Sequence, residues 1–228
     1  MPLPNKPRAV VIDLDGTLID SVPDLAYCVD QMMIELGRSP WGEAKVRTWV
    51  GNGVDRLVKR ALTDELWAEP DEQLFAQAMP VFMALYASNT SQRSRVFDGV
   101  CEGLDYLQAE SYLLACVTNK AERFTLPLLR DKGILDAFQV VVSGDTTPKK
   151  KPDPLPLLHA AEALGVSPQL CLMVGDSRHD VAAARAAGFS VACVPYGYNH
   201  GDDIAESEPD ALISSLAQLR DLLVSTKS

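Results

Sequence analysis

Five short stretches of the chain are almost wholly apolar and rich in β-branched side chains: residues 8–14, 112–118, 139–143, 170–175 and 190–194. Apolar runs of this length without alternation suit strands buried on both faces. Between them, apolar residues recur at helical spacing: Val100, Leu104 and Leu107; Phe124, Leu128 and Leu129; Leu157, Leu158, Ala161 and Leu164; then the alanine-rich 181–187, closed by Gly188. Strand and helix alternate, which predicts a doubly wound α/β core whose parallel sheet carries helices on both faces.

Residues 21–93 break that alternation. No strand pattern occurs there, but Leu25, Cys28, Val29, Met32 and Leu36 form one helical stripe, and Leu57, Val58, Ala61 and Leu62 a second. A third stripe runs from Leu74 to Tyr86 and contains Pro80, which is expected to kink or split it. The polar segment 88–94 reads as a return linker. The pattern therefore predicts a helical module, residues 20–93, inserted into an α/β domain made of residues 1–19 and 94–228.

Composition narrows the function. With 228 residues, 47% hydrophobic and 23% charged, the chain can bury a core and a smaller companion unit. No apolar run reaches the roughly 18 residues of a membrane span, and the start lacks a signal-peptide pattern, so a cytoplasmic location is expected. The net charge of −10 opposes binding to nucleic acid or to an anionic membrane, so an anionic substrate would need locally placed cations. The five cysteines are scattered, without a Cys-x-x-Cys pair, and are expected to be reduced core side chains. Trp41, Trp49 and Trp67 are expected to pack, and His159 and His200 to be surface or packing residues. Oligomeric state is left between monomer and homodimer.

In parallel α/β sheets ligands gather beyond the carboxyl ends of the strands. There the chain places Asp13 and Asp15, then Thr118-Asn119, Lys151, and finally Gly175-Asp176-Ser177 with Asp180. Clustered aspartates repel one another unless a cation sits among them, and oxygen ligands predict a hard metal, Mg²⁺. Thr118, Lys151 and the backbone N–H of Gly16 would serve a phosphate group. One carboxylate could then attack phosphorus while another protonates the departing oxygen, and the spacing alone does not say which. Each signal has an ordinary reading by itself: Asp15-Gly16 as a turn, Thr118-Asn119 as a helix cap, Lys149-Lys150-Lys151 as a solvated loop. Their weight comes from occurring together and in order.

Asp13-Leu14-Asp15-Gly16-Thr17-Leu18, Thr118-Asn119, Lys151-Pro152 and Gly175-Asp176-Ser177-Arg178-His179-Asp180 resemble, in order and spacing, the four motifs of the haloacid dehalogenase superfamily of phosphatases. The resemblance covers essentially the whole chain. It implies a Rossmann-like core with an inserted α-helical cap domain. It also implies that Asp13 is the nucleophile and a metal ligand, that Asp15 is the general acid/base and ligates through its backbone carbonyl, and that Asp176 is the third protein ligand. Ser177 and Asp180 would support the metal from behind, and Gly16, Thr118, Asn119 and Lys151 would bind phosphate.

The stretches 46–53, 117–124, 144–154, 174–188 and 196–201 are similar to those of bacterial phosphoglycolate phosphatases, which implies hydrolysis of 2-phosphoglycolate, a small anionic phosphate ester. Its carboxylate invites a cation from the cap or the loops facing it. Arg47, Gly51, Asn52, Gly53, Arg56, Lys120 and Arg123 are the candidates for substrate selection, and His179 receives no role. The alternatives are another small-metabolite or sugar-phosphate phosphatase, a β-phosphoglucomutase-like phosphomutase, or a catalytically silent binding protein of the same fold.

Overall fold

The computed structural model describes residue 3 and residues 6–224. In chain order, β1 (Ala9–Ile12) and β2 (Ile19–Asp20) lead into four helices, α1 (Val22–Glu35), α2 (Glu43–Arg47), α3 (Val54–Thr63) and α4 (Glu72–Ser88). The chain returns through β3 (Arg95–Val96) and α5 (Val100–Ala109) to β4 (Leu113–Val117), α6 (Glu122–Asp131), β5 (Val140–Val142) and α7 (Leu155–Leu164). It ends with β6 (Cys171–Gly175), α8 (Arg178–Ala187), β7 (Ser190–Cys193), β8 (Ala211–Leu212) and α9 (Leu219–Val224).

Six strands form a parallel sheet in the order β5-β4-β1-β6-β7-β8. β1 lies inside it because all four of its side chains are apolar and can be covered on either face. Val10 and Ile12 pack with Leu104 and Leu107 of α5 and Leu128 of α6, whereas Ala9 and Val11 pack with Leu157 of α7 and Ala184 of α8. Alternate residues thus serve opposite helix layers, so a one-residue register slip would exchange them. The sheet places the ends of β1, β4 and β6 side by side, and the loops leaving them share one edge.

α1 to α4 form a separate hydrophobic cluster around Val29, Met32, Val58, Phe82 and Tyr86, joined by Phe124 and Tyr198 from the α/β core. The architecture is therefore a doubly wound core with an inserted helical cap. The two connecting segments pair as a short antiparallel ladder, Ile19 with Val96 and Asp20 with Arg95. Just beyond it, the fully buried Asp24 accepts hydrogen bonds from the backbone N–H of Arg93 (2.9 Å) and of Ser94 (2.8 Å), and from Ser94 Oγ (2.6 Å). A single carboxylate thereby ties the outgoing linker to the returning one.

Several local expectations are corrected. α4 runs unbroken through Pro80, which is exposed, as is Ala76, the residue whose carbonyl loses its helical partner. Water can serve that carbonyl, so the helix continues. Cys101 is exposed rather than part of the core, although the other four cysteines are buried. Trp49 is buried, but Trp67 is 59% exposed, lying against the guanidinium groups of Arg56 and Arg60. The five-residue α2 and the two-residue β2, β3 and β8 are too short to give a periodic signal. Among the described residues no helix is long and apolar enough to cross a membrane.

Asp24→Ala would leave the buried N–H and hydroxyl of Ser94 and the partly buried N–H of Arg93 without their acceptor. It is expected to lower the free energy of unfolding in urea by about 2–4 kcal/mol, and a loss under about 0.5 kcal/mol would show that the linkers do not depend on this carboxylate.

Candidate active site

Lys151 organises the strand ends. Its ammonium is buried and donates to Asp13 Oδ1 beyond β1 (2.7 Å), to the carbonyl oxygen of Val117 at the end of β4 (2.8 Å), and to Asp180 Oδ1 at the start of α8 (2.7 Å). The ammonium is thus surrounded by three oxygens from three different elements. The other oxygen of Asp180 accepts from Ser177 Oγ (2.7 Å) and Ser177 N (3.1 Å), a capping box that starts α8 on its first turn. Asp176, between them, accepts from Thr17 Oγ1 (2.7 Å) and from the backbone N–H of Tyr198 (2.6 Å).

Carboxylate oxygens of Asp13, Asp176 and Asp180 lie within 4.8 Å of one another. Burial raises the Asp13 carboxyl to about 7 even though Lys151 pulls it down, with Asp180 and Asp15 adding repulsion. Burial, with repulsion from Asp13 and Asp180, likewise pushes Asp176 well above the usual carboxylate range. Four aspartates and two lysines line the cleft, so two negative charges remain uncompensated among them. A divalent cation would supply that charge, and an all-oxygen donor set fits a hard one. Both oxygens of Asp180 and both of Asp176 already accept hydrogen bonds, whereas both contacts to Asp13 fall on Oδ1 and leave its Oδ2 open to the cleft.

Glycines permit this crowding. Gly16 has φ +91°, and a Cβ there would lie 2.2 Å from Asp176 Oδ2. Its own N–H donates to Ile19 O (2.9 Å), so it does not offer the free phosphate donor that the sequence suggested. Asn119 is also committed elsewhere: its amide donates to Lys151 O (3.0 Å) and Gly51 O (3.2 Å), and its oxygen accepts from Lys151 N (2.9 Å). It holds the Lys151 loop and the cap loop together rather than presenting its side chain to a ligand. Thr118 Oγ1 accepts from Lys120 N (3.1 Å), which leaves its hydroxyl proton available to the cleft it lines.

Asp15 points away from the carboxylate cluster. Its Oδ1 accepts from Ser21 Oγ (2.5 Å), and Lys120 Nζ bridges both oxygens at 2.9 and 3.0 Å. Opposite stand Val50, Gly51, Gly53, Val54 and Leu57 of the cap, which face the catalytic side chains across a narrow cleft with a cavity volume of about 40 Å³.

Of the proposed selector residues, Gly51, Gly53 and Lys120 line this cleft; Arg47, Arg56 and Arg123 do not. Arg47 pairs with Asp20 (3.1 Å) and Glu43 (2.8 Å), Arg56 with Glu69 (3.0 Å), and Arg123 is exposed beside Met83 and Phe124. Asn52 acts through its side chain. Arg60 Nη2, which can only donate, bonds Asn52 Oδ1 (2.8 Å), so the amide nitrogen must face His179 Nε2 (3.0 Å), leaving the ring proton on Nδ1. Burial lowers His179 to about 4, which keeps the ring neutral. His179 itself lines the cleft.

Sequence reasoning missed Thr17, Tyr198 and Arg60. Thr17 lies inside the first motif and Tyr198 inside the stretch 196–201, so both could have been read there. Arg60 gave no local signal, because its partners include backbone carbonyls, those of Trp49 and Leu66.

A Rossmann-like sheet with aspartates at adjoining strand ends and a helical cap over them defines a class of hydrolases. The model for haloacid dehalogenase-like hydrolases matches residues 10–194, and the chain belongs to that family. It is 56% identical over 218 residues to a phosphoglycolate phosphatase of Nitrosococcus oceani, covering 96% of this chain and 97% of that one. It is 55% identical to a phosphoglycolate phosphatase of Thiobacillus denitrificans, covering 95% of each. Among solved structures, a predicted phosphoglycolate phosphatase from Haemophilus somnus superposes with a TM-score of 0.89 at 34% identity, covering 96% of this chain and 99% of that one.

Gly16→Ala must displace the Asp176 carboxylate. It is expected to weaken divalent-cation binding, followed by calorimetry, about 10- to 100-fold, and unchanged affinity would separate Asp176 from the cation.

Proposed function

We propose that the chain is a Mg²⁺-dependent phosphomonoester hydrolase that acts through an aspartyl phosphate and whose substrate is 2-phosphoglycolate. The observation that carries this reading is the buried ammonium of Lys151 drawing Asp13 and Asp180 together beside Asp176 at the sheet edge. The substrate class is supported by relatives at 56% and 55% identity that carry the name phosphoglycolate phosphatase over nearly their full lengths.

Asp13 and Asp176, with the backbone carbonyl of Asp15, would hold the metal, and Asp180 and Ser177 would orient them. Bound there, Mg²⁺ supplies positive charge that makes phosphate and carboxylate compatible in one pocket. Both hydrogen bonds to Asp13 fall on Oδ1, from Leu14 N (2.8 Å) and Lys151. Oδ2 is left to attack phosphorus in line. The new bond joins Oδ2 to phosphorus, the bond to the glycolate oxygen breaks, and Asp15 gives that oxygen a proton. Water then attacks the aspartyl phosphate, Asp15 takes its proton, and phosphate leaves with Asp13 restored. Lys151 and the Thr118 hydroxyl stabilise the transferring group.

Residues 20–93 act as a cap that excludes bulk water during transfer. Asn119 on Gly51, Asn52 on His179, and His200 Nδ1 on the carbonyl of Thr48 (3.0 Å) support a seated position of the cap loop.

Asp13→Asn is expected to remove turnover, by at least about 10³-fold in kcat, together with acid-trappable phosphoenzyme. Normal hydrolysis by this variant would end the mechanism. Asp15→Asn is expected to fold and bind Mg²⁺ while losing about 10²–10⁴-fold in kcat. A panel of phosphate monoesters ranked by kcat/KM tests the substrate, with 2-phosphoglycolate expected first and chelation of Mg²⁺ expected to stop hydrolysis reversibly.

A further inference from the structure

Lys120 is the cation that faces Asp15, and its surroundings argue against a role in reading the substrate. Its backbone is pinned on three sides: its N–H donates to Thr118 Oγ1 (3.1 Å), and its carbonyl accepts from Gly144 N (2.7 Å) and Thr125 Oγ1 (3.1 Å). From that rigid loop the side chain reaches both oxygens of Asp15, and Ser21 Oγ holds one of them from another side. Three contacts therefore fix the plane of the carboxylate. Lys120 is only 6% exposed, so a substrate carboxylate would have to compete with an existing buried ion pair for it.

The side chain meets the cap at Tyr86 of α4. Lys120 Nζ lies 5.3 Å from the Tyr86 ring centroid, and the Tyr86 hydroxyl is fully buried without a hydrogen-bond partner. Burial alone would favour the neutral amine, but Asp15 and Tyr86 outweigh it and hold Lys120 as an ammonium. Two of its N–H bonds serve Asp15, which leaves the third on the side where Tyr86 lies.

We infer that Lys120 is a positioning residue that, covered by Tyr86 from the cap, clamps the Asp15 carboxylate in the orientation in which it takes the proton of the attacking water. The inference rests on Asp15 being the acid/base of the proposed reaction. Its physical basis is dielectric. A lysine–aspartate pair in water is weak and samples many geometries, whereas one beneath an aromatic ring in a dry site is strong and directional. Lifting the cap hydrates Lys120 and loosens Asp15; seating it restores the clamp. Proton transfer is thereby coupled to the exclusion of water.

The test is steady-state kinetics with saturating Mg²⁺ on 2-phosphoglycolate and on ethyl phosphate, an alkyl ester with no carboxylate. Lys120→Met is expected to lower kcat about 10²-fold on both esters, with KM for 2-phosphoglycolate unchanged. Lys120→Arg, which can still grip a carboxylate, is expected to recover part of the loss on both. Tyr86→Phe is expected to lower kcat several-fold on both with KM unchanged. A rise in KM confined to 2-phosphoglycolate, with ethyl phosphate unaffected, would overturn the proposal and make Lys120 the reader of the substrate carboxylate. Wild-type kcat in Tyr86→Phe would overturn the part played by the cap. If Lys120→Met fails to fold, judged by thermal melting, the other two variants decide. Asp13→Asn separates the two readings: activity retained in it on either ester sinks the aspartyl-phosphate mechanism, whereas its inactivity beside an unimpaired Lys120→Met sinks only the clamp.

Discussion

The buried ammonium of Lys151 is the constraint on which the rest of the site depends. It joins the ends of β1 and β4 to the start of α8, and each of its contacts is a charged or carbonyl oxygen with little access to water. Without it, Asp13 and Asp180 would repel each other at close range in a medium that screens poorly. With it, they still leave Asp13 and Asp176 hard to ionise, which is the condition a divalent cation would relieve. Structure and chemistry therefore share one electrostatic solution, and the apolar sheet beneath exists in part to keep these groups in place.

A second layer of buried polar contacts carries that order into the cap. Asn119 bonds both the Lys151 loop and the carbonyl of Gly51, and the chain Arg60–Asn52–His179 crosses from the cap helices to the first turn of α8. At the hinge side, Asp20 accepts from the Tyr198 hydroxyl and Arg47, and Asp24 ties the two linkers. The cap is thus positioned by directional bonds at its front and its back, with Trp49, Phe82 and Tyr86 filling the space between. Such bonds can break and re-form one at a time, as a module that opens and closes requires.

Much of this was legible along the chain. The five long strands followed from continuous apolar runs, and the inserted module from the change to helical spacing. Asp13, Asp176, Thr118 and Lys151 were found by asking what stands at strand ends. The misses have physical causes. Pro80 could remain inside α4 because the carbonyl it orphans, that of Ala76, faces water. Arg47 and Arg56 are cations of the right unit, but each had a nearer carboxylate. Gly16 matters less for a free N–H than for the Cβ it lacks beside Asp176.

The sequence by itself determined what is local: apolar periodicity, the order of the four motifs, and the residue types that suit phosphate and metal. These follow from covalent spacing, since a strand of given composition must bury both faces and must end somewhere polar. Only the tertiary structure decided which polar groups pair. Thr17 meets Asp176, Tyr198 meets Asp20, and Lys120 meets Asp15 across gaps of 159, 178 and 105 residues. No periodicity encodes such pairings, because they depend on how the sheet and the cap are stacked in space and on the desolvation that stacking imposes.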